Sequence, residues 1–278
     1  MDIHKIVLNG NHYRYAAYRH QESDQFAVFL LGALQDIESV QQFSLAFASH
    51  LNVFTIEVPG TGRTAPLDST ISIRQQALML KELLDHLAVN QAHVMGFSYA
   101  TAVAVELVDI WPNVLSLSIC GGVPGIPSSG RLATKQMIAA AMHSPNHFAQ
   151  SFTHSLTIQH PDIPRNKAII RATEREISKM HQERIDVFFE NSVRLLVHTP
   201  TNVKNINIPC TICVGEYDPY VTKEVAYEFA SVLKNSHFVV IKNADHLVHL
   251  QHPETVAAIM IAQAASAISL KRTLANLI

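Results

Sequence analysis

The feature that most limits the possible folds is a series of short, nearly continuous apolar runs separated by stretches of helical periodicity. Strands buried on both faces read as continuous apolar runs, because no side of the strand meets water. The runs are "FAVFLL" (26–31), "LNVFTIEV" (51–58), "AHVMGF" (92–97), "VLSLSI" (114–119), "PCTICV" (209–214) and "HFVVI" (237–241). Their alternation with helices predicts an α/β fold with a mostly parallel sheet covered on both faces.

Two segments before these runs follow a different pattern. Residues 4–8 and 12–18 alternate polar and apolar side chains, and "NGN" lies between them. Alternation of polar and apolar side chains indicates strands with one solvent-exposed face, and Asn-Gly favours a tight hairpin turn. The chain is therefore expected to open with a β-hairpin.

One long interval interrupts the alternation of strands and helices. Almost ninety residues separate the strand ending near Gly121 from the one starting at Pro209, and they carry helical patterns such as "GRLATKQMIAAAMH" and "RIDVFFENSVRLLVH". A connection of this length needs structure of its own. We predict a helical lid over residues 126–203, inserted into a core of residues 1–125 and 204–278.

Charge and composition exclude several classes of partner. A formal net charge of −2 and a pI near 6.8 argue against nucleic acid as a partner. No window approaches the ~18 apolar residues of a membrane span, and the N-terminus lacks the apolar core of a signal peptide. Cys120, Cys210 and Cys213 lie in strand-like segments and are expected to be reduced thiols. We expect a cytoplasmic protein, and without a metal, flavin or nucleotide fingerprint we expect no cofactor.

Ser98 occupies a junction between a strand and a helix in "HVMGFSYATAVAVELV" (93–108). A sharp strand-to-helix turn leaves no room for large side chains two residues away, and Gly96 and Ala100 meet that demand. Such a turn exposes the hydroxyl and points a helix N-terminus at it, which suits a nucleophile. A serine that merely caps the helix is the alternative.

A serine nucleophile needs a base, and the base needs an orienting carboxylate. Asp218 follows the strand "PCTICV", and His246 follows "HFVVI", so both stand at strand ends in the order that a Ser-Asp-His triad requires. Glu216 is a competing carboxylate, and His249 and His252 leave a three-histidine metal site as a second possibility. The triad Ser98, Asp218 and His246 is the prediction.

These motifs together resemble those of the α/β-hydrolase fold along nearly the full chain. The matching pieces are "GFSYA", "VPGTGRT", "GEYDPYV" and "ADHLVHLQHPE". The resemblance implies a mostly parallel eight-stranded sheet flanked by helices, with an inserted helical lid. It also implies an oxyanion hole from the backbone N–H groups of Ala33 and Tyr99. Many members carry His-Gly before the first of these donors, and here Leu31 replaces the histidine.

A narrower resemblance is to the 3-(3-hydroxyalkanoyloxy)alkanoate synthases of rhamnolipid biosynthesis. The shared positions around the acid are Gly215, Asp218, Tyr220, Thr222, Glu224, Ala226 and Phe229. That family esterifies two 3-hydroxyacyl units taken from acyl carrier protein, so the resemblance implies acyl transfer. The elbow "GFSYA" differs from that family and is closer to ordinary esterases.

The expected activity is serine-dependent acyl transfer on an ester or thioester of a hydrophobic acyl chain. The substrate is expected to be a small molecule or an acyl group carried by acyl carrier protein or CoA. The alternatives are a carboxylesterase, lipase or acyl thioesterase, and a non-catalytic ligand sensor that uses the same fold. Apolar side chains of the lid and the oxyanion loop are expected to contact the acyl chain. They are Leu34, Phe148, Phe152, Phe188 and Phe189.

Overall fold

The structure is a computed structural model that describes the backbone of residues 2–200 and 202–275 and the side chains as far as residue 265. Residues 1, 201 and 276–278 of the predicted core and lid lie outside the described residues.

The described residues form one eight-stranded sheet, which confirms the predicted fold class. Its strands are β1 (Ile3–Leu8), β2 (Asn11–Tyr18), β3 (Phe26–Leu30), β4 (Asn52–Glu57), β5 (Ala92–Phe97), β6 (Val114–Cys120), β7 (Cys210–Gly215) and β8 (Ser236–Ile241). They lie in the order β1-β2-β4-β3-β5-β6-β7-β8, and only β2 runs antiparallel to its neighbours β1 and β4. Because β3 to β8 are parallel, their carboxyl ends meet at one edge, which is where side chains from distant segments can converge.

Helices cover both faces of the sheet. The α-helices are α1 (Gln41–Ala48), α2 (Ile73–His86), α3 (Ala100–Ile110), α4 (Arg131–His143), α5 (Pro145–Leu156), α6 (Asn166–Ser178), α7 (Gln182–Val197), α8 (Lys223–Val232), α9 (Val248–Gln251) and α10 (Pro253–Ala275). One buried apolar cluster joins the sheet to α2, α3 and α8, and a second joins the other face to α1 and α10. This double cover explains why the parallel strands read as continuous apolar runs.

Short polar signals set where several helices begin. Ser72 caps α2 by accepting from the backbone N–H of Gln75, whose side chain accepts in return from the Ser72 N–H. Ser144 caps α5 directly before Pro145, which needs no hydrogen-bond acceptor at the first helical position. Local sequence therefore fixes helix starts in the core and in the insertion alike.

The long interval after β6 is helical, as predicted. Between residues 121 and 200 the described chain has four α-helices (α4 to α7), one short 3₁₀ turn and no strand. These helices share an apolar cluster of their own that packs against Ala33, Leu34 and Tyr220 on the loops of the core. We call residues 126–203 the lid, a domain division that stays a prediction. No helix in the described part of the chain is long and apolar enough to span a bilayer.

Candidate active site

The turn after β5 holds Ser98 in a strained backbone conformation. Ser98 has a φ of 45°, in the left-handed region that L residues rarely adopt. Its backbone N–H donates to the carbonyl oxygen of Cys120 at 3.0 Å, which ties the turn to the end of β6. A Cβ atom added to Gly96 would lie 3.1 Å from the Cβ of Ala100. The close approach of β5 and α3 therefore favours small residues on either side of Ser98.

Gly122 is a further spatial requirement of this turn, one that sequence reasoning missed. A Cβ atom on Gly122 would lie 1.9 Å from Thr101 Oγ1 and 2.6 Å from the carbonyl oxygen of Ser98. Atoms cannot approach so closely, so any larger residue at this position would displace the elbow. The signal in the sequence is the Gly-Gly pair at residues 121 and 122, directly after a strand.

The structure brings Ser98, His246 and Asp218 into one hydrogen-bonded chain. Ser98 Oγ lies 3.1 Å from His246 Nε2, and His246 Nδ1 lies 2.7 Å from Asp218 Oδ2. Burial by itself lowers the pKa of His246, but the charge of Asp218 and its hydrogen bond raise it more, so the pKa lies above the usual histidine value. The imidazole can therefore take a proton from the serine hydroxyl while a carboxylate stabilises the resulting charge.

The loop after β7 fixes Asp218 for this contact. Its second oxygen, Oδ1, accepts from the backbone N–H groups of Tyr220 at 2.9 Å and Val221 at 2.8 Å. The competing carboxylate, Glu216, instead pairs with Lys242 at 2.7 Å and accepts from the backbone N–H of Asn243. The structure thus places Asp218, and not Glu216, beside the histidine.

Ala33 and Tyr99 both line the cavity above Ser98. In the described part of the chain, no hydrogen bond is made by the backbone N–H of either residue, so both donors are free to face a ligand. The Tyr99 side chain is engaged elsewhere, because its hydroxyl donates to Gln76 Oε1 at 2.6 Å. This arrangement leaves two backbone donors beside the serine, and their role as an oxyanion hole stays a prediction.

A cavity of about 380 Å³ opens above Ser98, between the carboxyl edge of the sheet and the lid. This volume falls within the ordinary range of small-molecule sites. Its lid wall is largely apolar: the apolar residues there include Met137, Phe152, Leu156, Ile177, Met180 and Phe188, and the polar ones are Thr134, Thr173, Glu176 and Ser192. The apolar part of this wall suits a hydrocarbon chain, since burying apolar surface is favourable.

Three of the five residues expected to contact substrate line this cavity, namely Leu34, Phe152 and Phe188. Phe148 does not: it is fully buried within the lid, with its ring centroid 4.7 Å from that of Phe188. Phe189 does not line it either, since it lies one residue further around α7. The sequence pattern could not tell the cavity side of each lid helix from the side that packs on other lid helices.

The three histidines near residue 250 have separate environments. His252 Nε2 lies 3.0 Å from the carbonyl oxygen of Asn243, whereas His249 lines the cavity with its ring centroid 5.5 Å from that of Phe97. Burial and the nearby His246 lower the pKa of His249 to about 4. Across the residues whose side chains are described, no three His, Cys, Asp or Glu groups are placed to hold a metal ion.

Arg194 on α7 is a buried charge that sequence reasoning did not single out. Its guanidinium donates to the backbone carbonyls of Leu67, Asp68 and Ile71, and its Nη1 lies 3.4 Å from the Tyr99 hydroxyl. Among the described residues it forms no ion pair, so the backbone carbonyls, Asn191 Oδ1 and the Tyr99 hydroxyl solvate the charge. Arg194 therefore fastens the last lid helix to the core beneath the candidate site.

Comparison with known proteins adds relatives at low identity. The chain is 22% identical to the (R)-3-hydroxydecanoyl-ACP:CoA transacylase of Pseudomonas putida, over 90% of this chain and 86% of the relative. It is 25% identical to the (E)-2-((N-methylformamido)methylene)succinate hydrolase of Acinetobacter baylyi, over 90% of this chain and 94% of that protein.

Solved structures agree with the fold. An alpha/beta hydrolase enzyme from a Medee basin deep-sea metagenome library superposes with a TM-score of 0.84 at 16% identity, covering 94% of this chain and 96% of that one. The pattern of the alpha/beta hydrolase family matches residues 28–259, which include the whole lid and the segments holding Ser98, Asp218 and His246. The chain belongs to the alpha/beta hydrolase family.

Proposed function

We propose that this protein is a serine-dependent acyl-transfer enzyme acting on an ester or thioester of a hydrophobic acyl chain. The observation that carries the proposal is the hydrogen-bonded chain from Ser98 through His246 to Asp218, which opens into a cavity with an apolar lid wall. Buried polar groups in this order, beneath an apolar cavity, are the arrangement that nucleophilic acyl transfer needs.

In the first half of the reaction, Ser98 Oγ attacks the acyl carbonyl while its proton passes to His246 Nε2. Asp218 keeps the other ring nitrogen protonated and stabilises the imidazolium. The oxygen of the tetrahedral intermediate receives hydrogen bonds from the backbone N–H groups of Ala33 and Tyr99. Collapse breaks the bond to the leaving alcohol or thiol, which takes the proton from His246.

In the second half, an acceptor attacks the acyl-serine. Its oxygen or sulfur forms the new bond to the carbonyl carbon, its proton passes to His246, and the bond to Ser98 Oγ breaks as that proton returns to the serine. Water as acceptor gives hydrolysis, whereas an alcohol or thiol gives transfer. The triad serves both outcomes, so the identity of the acceptor depends on the cavity.

We favour a 3-hydroxyacyl thioester as donor and transfer as the outcome. The support is the acid-loop resemblance described above, together with a relative that is named a transacylase between acyl carrier protein and CoA. The apolar wall contributed by Phe152, Ile177 and Phe188 fits the hydrocarbon part of such a donor. The acyl group would then arrive on acyl carrier protein or CoA.

Ester or thioester hydrolysis is the second candidate. It is supported by the esterase-like elbow "GFSYA" and by the relative that is named a hydrolase. Incubation with a 3-hydroxyacyl thioester separates the two: an ester or new thioester product supports transfer, and free hydroxyacid alone supports hydrolysis.

Replacement of Ser98 by alanine tests the proposal as a whole. We expect Ser98→Ala to lower ester turnover on the order of 10⁴-fold, because the nucleophile is lost, and to abolish labelling by a fluorophosphonate. The melting temperature should stay near that of the wild type, since the hydroxyl has His246 as its one partner in the described chain. Wild-type turnover in a folded Ser98→Ala protein would rule out the mechanism, and an unlabelled wild-type protein would favour the non-catalytic sensor.

A further inference from the structure

His249 is a polar side chain in the cavity wall that the triad does not use. It lies on α9, one helical turn after His246, and its ring packs beside that of Phe97, the residue before Ser98. In the part of the chain whose side chains are described, neither ring nitrogen of His249 makes a hydrogen bond. A cavity-lining imidazole without a protein partner is available to a ligand.

The surroundings of His249 place it on the open side of the cavity. Among the lining residues, Ser39, Gln42, Ala172, Glu176 and Leu250 are exposed, and they lie just before α1, on α1, on α6 and on α9. Phe97, which packs against His249, also packs against Phe43, the neighbour of Gln42. His249 thus stands near a rim formed by α1, α6 and α9, on a core helix and not among the apolar lid residues that suit the acyl chain.

The side chain of His249 is neutral across the physiological range. Burial, assisted by the nearby His246, lowers its pKa to about 4, so it is a poor base. A neutral imidazole offers one N–H donor and one acceptor nitrogen, which matches an amide or hydroxyl group. Gln35 also lines the cavity. Among the described residues, its Oε1 accepts from the Gly32 N–H, and its Nε2 makes no hydrogen bond.

We propose that His249 binds the acceptor, by hydrogen bonding an amide or hydroxyl group that the attacking thiol or alcohol carries beyond its nucleophilic atom. This inference rests on the proposed function. With the acyl chain on the apolar lid residues, an acceptor that enters at this rim passes His249 on its way to the acyl-serine. The hydrogen bond orients the acceptor and raises its effective concentration over water.

His249 takes no proton in this step. The acceptor S–H or O–H proton passes to His246, the new bond to the acyl carbon forms, and the bond to Ser98 Oγ breaks as described above. His249 is therefore a specificity-determining residue, and its effect should appear in the partition of the acyl-enzyme between acceptor and water.

The test measures that partition. The donor is p-nitrophenyl octanoate, and the acceptors are N-acetylcysteamine, which carries an amide, and 1-hexanethiol, which is similar in length and carries none. Nitrophenolate release reports acylation, and the ratio of octanoyl thioester to octanoate reports partition. The variants are His249→Leu, His249→Phe and His249→Gln, the last of which keeps hydrogen-bonding groups, and each is checked for a wild-type unfolding transition.

We expect His249→Leu and His249→Phe to lower the transfer-to-hydrolysis ratio about tenfold with N-acetylcysteamine and to leave it unchanged with 1-hexanethiol. A loss of this size is typical when one hydrogen-bond partner becomes apolar. His249→Gln should stay within about threefold of the wild type. Equal changes with both thiols, no change with either, or a wild type that transfers to neither would overturn the role of His249.

These outcomes are separable from failure of the proposed function. If the wild type releases no nitrophenolate, or if Ser98→Ala releases it as fast, the serine mechanism is wrong. If nitrophenolate release depends on Ser98 while the ratio of octanoyl thioester to octanoate does not change in the His249 variants, only the proposed acceptor subsite is wrong.

Discussion

The packing of Gly122 against the serine elbow leads to a prediction whose size follows from the structure. In Gly122→Ala, the new methyl group would meet Thr101 Oγ1 at 1.9 Å and the carbonyl oxygen of Ser98 at 2.6 Å. Neither atom is the end of a long flexible side chain, and the second belongs to the backbone. The elbow must therefore shift to accept the alanine.

Two changes should accompany this shift. Overpacking of a well-packed site costs about 1–3 kcal/mol, and close contacts on two sides place Gly122→Ala near the upper end. For a chain of this size, 1 kcal/mol lowers the melting temperature by about 2–4 °C, so we expect a loss of about 4–12 °C. Displacement of the Ser98 backbone should also lower kcat/KM, since a misplacement of about 1 Å can cost on the order of 10²-fold.

The assay is thermal unfolding together with ester turnover, with two matched variants. Gly125→Ala is the control in the same loop, because its Cβ would meet nothing closer than Pro200 Cδ at 3.7 Å, and it should behave as the wild type. Thr101→Ala removes a buried hydroxyl that has no hydrogen-bond partner in the described chain, so it should be nearly neutral alone and partly rescue Gly122→Ala. A Gly122→Ala protein as stable and active as Gly125→Ala would refute this reasoning about the elbow.

Two further predictions concern charge. Asp218 raises the pKa of His246, and only the neutral imidazole accepts the Ser98 proton. Ester turnover should therefore fall as the pH decreases through a midpoint above the ordinary histidine value of about 6.5. A midpoint below that value in the pH profile of kcat/KM would contradict the pairing of His246 with Asp218. Arg194→Met should cost about 2–4 kcal/mol in denaturant unfolding, because its carbonyl partners lose the donor that the buried guanidinium supplies. Arg171→Met, on the exposed face of α6, should stay within about 0.5 kcal/mol of the wild type. Equal stability of the two arginine variants would show that the buried guanidinium contributes nothing.

The core of the fold was predictable because burial on two faces leaves a strong signal. The run "AHVMGF" predicts a strand over 92–97, and β5 spans Ala92–Phe97. The order of strand ends also anticipated which distant residues would meet: Ser98 and His246 are far apart in sequence, yet their side chains lie 3.1 Å apart. The carboxyl ends of parallel strands meet at one edge of the sheet, so the order of the motifs along the chain was enough to predict that Ser98 and His246 would meet.

The lid was predictable as helix but not as packing. Phe148 and Phe152 are one turn apart on α5 and read alike, yet Phe148 is wholly enclosed by lid helices and Phe152 faces the cavity. The difference depends on where α7 and the core loops lie, which periodicity does not encode. Arg194 was missed for a related reason: a charged residue in "SVRLLV" reads as exposed, and its carbonyl partners come from a loop more than a hundred residues earlier.

The attachment of the lid also bears on which part of it can determine acyl specificity. Helix α7 is held at both ends: Arg184 donates to the Leu34 carbonyl at 3.0 Å, and Asn191 donates to the Gly60 carbonyl at 2.8 Å close to Arg194. Substitutions on α7 therefore act on the oxyanion loop and the core as well as on the cavity. Helix α6 lies beside the cavity with Ile177, and its N-terminal flank contacts the core through exposed Arg165. Among the described residues, no side chain of α6 hydrogen bonds to the elbow or to the triad, so changes there can reshape the acyl wall while the elbow and the triad keep their positions.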